Sequence, residues 1–75
     1  MSSTFYSPSS YEITVEGSLD QSMSNRLAGM SIHYSESDAQ TTTLLTGDLL
    51  DQAELLGVLN TLFNYRCTVL SLHKI

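Results

Sequence analysis

Two histidines, two glutamates and one cysteine are the residues of this chain best suited to chemistry, and their spacing limits what they can do. Alternation along three β-like segments puts Glu12, Thr14, Glu16, Ser31, His33, Ser71 and His73 on one surface of a sheet. Imidazoles beside carboxylates are a donor set for zinc. With the strands in the order 4-1-3-2, however, His33 and His73 fall on opposite edges. Strands spaced about 4.8 Å apart then separate them by some 14 Å, too far for one ion. No metal site is expected, and the surface reads as solvated or partner-facing. Cys67 just precedes the last strand. A reactive thiolate needs a cation or a helix N-terminus beside it, and Arg66 next to it in sequence is too little, so an inert thiol is expected. Gly17, Gly29, Gly47 and Gly57 are isolated, so no phosphate-cradling loop and no cofactor is expected.

The triplet Asp51-Gln52-Ala53 admits two readings. In one, Asp51 presents a carboxylate and Gln52 an amide to a small molecule at the strand–helix junction. In the other, Asp51 caps the helix, Ala53 packs closely and Gly57 lets the helix approach the sheet. Capping explains the residue type and the spacing without a ligand. Neither reading builds a self-contained catalytic site, so an enzyme is not expected.

Composition narrows the partners. Among 75 residues there are eight Asp and Glu against three cations, Arg26, Arg66 and Lys74, for a formal net charge of −5. Nucleic-acid binding draws its affinity from Lys and Arg on phosphates, and anionic membranes need the same. Both partners are therefore excluded. In a four-stranded sheet of this kind, Glu12 and Thr14 also stand where a nucleic-acid binder would carry stacking aromatics. A lone cysteine, no secretory leader and no apolar run of bilayer length point to the cytoplasm. A chain this short buries only about 60% of the surface exposed by its unfolded form. One cysteine closes no internal disulfide, so self-association, as a homodimer, is the expected support.

The elements that must position these residues follow from periodicity. Residues 1–10, MSSTFYSPSS, read as a flexible tail, with Phe5 and Tyr6 able to pin it, and 11–75 as one domain. Tyr11, Ile13 and Val15 alternate with Glu12, Thr14 and Glu16 as a half-buried strand ended by Gly17. Leu19, Met23 and Leu27 then line a short helix over 19–28, closed by Gly29. Residues 30–36 alternate again, with Met30, Ile32 and Tyr34 inward. Ser37-Asp38-Ala39-Gln40 is a connection of hairpin length. Residues 41–46, TTTLLT, make a third strand whose phase is open, because Leu44 and Leu45 are adjacent. Gly47 and Asp48 break it. A helix over 49–64 follows, with capping boxes at Asp51–Glu54 and Asp48–Asp51. Leu55, Val58, Leu59, Leu62 and Phe63 form its apolar side, which Leu56 widens. Residues 68–73 form the last strand, with Leu70 and Leu72 in phase. Thr41-Thr42-Thr43 and the Ser-rich tail are possible phosphorylation sites, but β propensity and tail composition explain both.

The order strand, helix, strand, strand, helix, strand predicts an α+β, ferredoxin-like βαββαβ domain: a four-stranded antiparallel sheet with two helices on one face. The other face is left to solvent or a partner.

The segment LLTGDLLDQAELLGVLNTLFNYRCTVLSL resembles a family of short, uncharacterised bacterial proteins with the pattern L-x-G-x-x-x-D-Q-A-x-L-x-G-x-L-x-x-L before a Leu-rich LLS-type strand. The matching residues are Leu45, Gly47, Asp51, Gln52, Ala53, Leu55, Gly57, Leu59 and Leu62, then Leu70 and Ser71. Relatives carry Gly at the helix end, where this chain has Arg66. The resemblance implies a fold and no activity. The expected function is a small non-enzymatic interaction or regulatory module, acting as a homodimer and on another protein. The alternative is a small-molecule sensor, with its ligand between two copies or at the junction before the second helix.

Overall fold

A computed structural model of the chain describes residues 8–37 and 40–75. The elements run β1 (Ser9–Glu16), a 3-10 helix η1 (Gln21–Leu27), β2 (Ser31–Ser37), β3 (Gln40–Leu49), α1 (Gln52–Asn64) and β4 (Val69–Lys74). Residues 1–7 of the expected tail, and 38–39 of the expected hairpin connection, lie outside the described residues. β1 begins at Ser9, inside the span read as tail.

The four strands form one open antiparallel sheet in the order β2-β3-β1-β4, or β4-β1-β3-β2 counted from the other edge. β1 and β3 are central; β2 and β4 are the edges. η1 and α1 pack on one face and against each other. The ferredoxin-like assignment is corrected to the coarser one, an α+β open sheet carrying two helices. Its first crossover is a 3-10 helix, where an α-helix was expected. Ser22, Ser24 and Asn25 have poor α propensity, and Ser24 spends its hydroxyl on the Met30 carbonyl at 2.7 Å. Ala28 and Gly29 both turn left-handed and end the segment.

The core lies between the sheet and the helices. It holds Tyr11, Ile13 and Val15 of β1, Ile32 of β2, Leu45 and Leu49 of β3, Leu27 and Met30, and Val58 and Leu62 of α1. The open phase of β3 is settled by its register. Ile13 pairs with Leu45 and Thr14 with Leu44, so Leu45 enters the core and Leu44 joins the opposite face. Thr43 is buried and satisfied: its hydroxyl donates to the Gly17 carbonyl at 2.7 Å and accepts from the Leu19 N–H at 3.1 Å.

Several expected details are corrected. Gly47 and Asp48 do not break β3, which continues to Leu49. Gly47 is needed inside the strand, because a Cβ there would meet the Met30 Cα at 3.3 Å. Asp48 accepts from the Ser10 hydroxyl across the sheet and caps no helix. Tyr34 keeps the expected core face, paired with Thr43, but is exposed there, its hydroxyl donating to the Leu19 carbonyl. Leu56 and Phe63 also face outward, leaving Leu55, Val58, Leu59 and Leu62 to pack. Ala53 and Gly57 sit on the exposed side of α1 and make no close approach to the sheet. The β1–β4 register shifts between Thr14 and Val15 of β1, so Leu70 of β4 is skipped and the expected in-phase run of Leu70 and Leu72 is interrupted.

Candidate functional site

The strand–helix junction is built by capping. Asp51 is extended at the N-cap, and its Oδ1 accepts from the Glu54 N–H at 2.9 Å. Glu54 Oε1 reaches back to accept from the Leu50 N–H at 2.8 Å. Both carboxylates lie at the positive end of the helix dipole. Gln52 is exposed beside them.

The face of the sheet away from the helices gathers the sequence-expected residues in rows. Ser31, Thr46, Glu12 and His73 form one row; His33, Leu44, Thr14 and Ser71 form the next. Glu16 pairs with Thr42 beyond them. Glu12, Thr14 and Ser71 are half-buried; Glu16, Ser31, His33 and His73 are exposed. Glu12 is thus brought opposite His73, where facing side chains stand about 5 Å apart. His33 and His73 lie on opposite edges and in different rows. Among the described residues, no three of His, Cys, Asp and Glu come close enough to hold a metal ion. The centre of this face carries Glu12 and Thr14 of β1 and Leu44 and Thr46 of β3.

Cys67 is half-buried, and burial pushes its thiol up. Its Sγ lies 4.0 Å from the Tyr65 carbonyl. An elevated thiol is a poor nucleophile at neutral pH.

Two features went unnoticed in the sequence. One is a shallow, open cleft of about 480 Å³ lined by Ser18, Leu19, Asp20, Gln21 and Tyr34. The Ser22 N–H and hydroxyl hold the Asp20 carboxyl below its usual range there. Tyr34 lines the cleft from the core face of β2, the face alternation gave it, but its ring is left exposed there.

The other is an apolar flank. Leu56 and Phe63 on α1 are 59% and 62% exposed, and Leu70 and Leu72 on β4 are 47% and 41% exposed. Tyr65 at the helix end accepts a bond from Arg26 of η1 at 3.3 Å, so that side of α1 faces η1. Leu56 and Phe63, seven residues apart, share the other side of α1, away from η1. Leu72 pairs with Ile13 and so rises on the same face of the sheet as that residue. η1 packs on β2 and α1 on β3, while on edge strand β4 Val69 joins the core and Leu70 and Leu72 stay exposed. The signal was present in the width of the apolar side of the α1 segment, six residues where four suffice for packing.

A family model described as a domain of unknown function, DUF8691, matches residues 10–73. The chain belongs to the DUF8691 family. The match takes in the strands that carry the polar face, the whole of α1 and the flank residues Leu56, Phe63, Leu70 and Leu72 of this DUF8691 domain. No curated protein and no solved structure was found to match it. Among its described residues, no helix is long and apolar enough to cross a membrane.

Proposed function

We propose that this DUF8691 domain is a protein-interaction module that works as a homo-oligomer. One observation carries the reading: four large apolar side chains, Leu56 and Phe63 of α1 and Leu70 and Leu72 of edge strand β4, stand exposed. Monomers rarely expose apolar patches of more than a few hundred Å², and larger ones mark surfaces used for contact. The small size of the domain adds a motive, since burial on association supplements a core that is marginal alone. The polar face around Glu12, Thr14 and Ser71 then remains for a second protein. The lone Cys67 and the likeness to short bacterial proteins support a reducing, bacterial cytoplasm as the setting of this proposal. Thermal unfolding across a wide range of protein concentration tests the reading. A midpoint that climbs with concentration is expected, because association stabilises only the folded chain. A midpoint independent of concentration contradicts it.

A second reading, a small-molecule sensor, is favoured by the cleft beside Tyr34, Gln21 and Asp20. A metabolite that raises the unfolding midpoint in the wild type, and not in Tyr34→Ala, supports it; a broad library without effect removes it.

A further inference from the structure

The two edges of the sheet differ in how they meet solvent. On β2, Ser31, His33, Ser35 and Glu36 are polar and exposed, the protection that edge strands need against pairing with another chain. On β4, Leu70 and Leu72 are exposed with Ser71 between them, and Leu56 and Phe63 are exposed on the side of α1 away from η1. β4 carries no carboxylate to match Glu36 of β2, and its one charged guard, Lys74, stands at its end.

Charge sharpens the contrast. All eight Asp and Glu lie at or before Glu54, while residues 55–75 contain none and hold Arg66, His73 and Lys74. Two copies of a chain with net charge −5 repel on most approaches. The β4 flank is the approach on which no carboxylate of residues 55–75 opposes its counterpart.

The area also fits. A standard interface takes about 800 Å² from each partner, a little over half of it apolar, or roughly 450 Å². The exposed parts of Leu56, Phe63, Leu70 and Leu72 amount to roughly 400 Å² on the usual size of such side chains.

We propose that β4 and the outer side of α1 form a two-fold interface with a second copy of this chain, in which the two β4 strands pair antiparallel. The inference rests on the homo-oligomer reading above and assigns it a surface. One eight-stranded sheet results. The two α1 helices lie antiparallel across the junction, covering both copies of Leu72. The polar sheet face stays open on the far side.

Sedimentation velocity on three proteins tests this: the wild type, Phe63→Lys with Leu72→Lys, and an edge control on β2, His33→Lys with Ser35→Lys. All four positions are exposed, and circular dichroism verifies that each variant folds. The expected result is a dimer for the wild type and the β2 control, and self-association weakened about 100-fold or more for the β4-flank variant. A folded β4-flank variant that remains dimeric overturns the interface and leaves the homo-oligomer reading standing. A wild type that is monomeric at every concentration overturns both. Should the β4-flank variant unfold, hydrogen exchange on the wild type decides. Exchange across β4 that slows with rising concentration supports the interface, and exchange indifferent to concentration overturns it.

Discussion

Arg26 of η1 donates to the Tyr65 hydroxyl at 3.3 Å, a contact consistent with the roll of α1 that buries Val58 and Leu62. With Tyr65 turned toward η1, Leu62 points into the core and Phe63, one residue on, is exposed. Neighbouring residues of similar hydrophobicity therefore contribute very differently. Leu62→Ala is expected to cost about 2–5 kcal/mol in urea unfolding of the dilute protein, where association is weakest. Phe63→Ala is expected to cost under about 1 kcal/mol there. Equal losses would contradict the roll.

The end of α1 is strained at one residue. The Arg66 N–H donates to the Phe63 carbonyl and the Cys67 N–H to the Leu62 carbonyl, both at 2.9 Å, closing a Schellman motif. Arg66 holds the left-handed position with φ of 61°, a conformation glycine adopts freely. Arg66→Gly is expected to stabilise the fold by about 0.5–1 kcal/mol, the relief exceeding the added freedom of the unfolded chain. A loss of stability would show that the Arg66 side chain contributes more than its backbone costs.

Thr43 ties the first crossover to the sheet through two bonds from one buried hydroxyl, to Gly17 and Leu19. Thr43→Val keeps the shape and leaves a carbonyl and an N–H without a partner. The expected loss is about 1–3 kcal/mol, seen as a midpoint lowered by about 4–8 °C per kcal/mol. Thr43→Ser, which keeps the hydroxyl, should retain most of the stability. Similar losses in the two variants would assign the effect to packing alone.

Cys67 links stability to alkaline pH. Burial holds its thiol above the usual range, so the folded chain favours the neutral form. That contribution is fully present below the unfolded thiol's own value and is lost as pH rises through the folded one. Stability should therefore decline above pH 9, and Cys67→Ser should remove that part of the decline. At neutral pH, alkylation should be slower in the folded chain than in urea. Equal rates would contradict a shielded thiol.

Much of this architecture was legible in the residues. The alternation of Tyr11, Ile13 and Val15 placed β1, and Leu55, Val58, Leu59 and Leu62 at helical spacing placed α1, because each pattern has one period and one buried face. Asp51 with Glu54 marked the helix start for the same local reason. What escaped depends on neighbours distant in sequence. Leu44 and Leu45 are equivalent until pairing with Thr14 and Ile13 separates them. Gly47 reads as a breaker until Met30 is set against it. Phe63 and Leu56 belong to the apolar side of a helix, yet whether a sheet lies beneath them depends on where β4 ends up. The polar face around Glu12, Ser31, His33 and His73 was assembled correctly by alternation alone. The flank was not, since it is made by the edge of the sheet rather than by any one element.

Self-association is the central claim, and light scattering coupled to size exclusion, repeated over increasing concentration, tests it most directly. The account predicts a mass rising to twice the 8.3 kDa of one chain. A mass that stays at one chain across the whole range would contradict it.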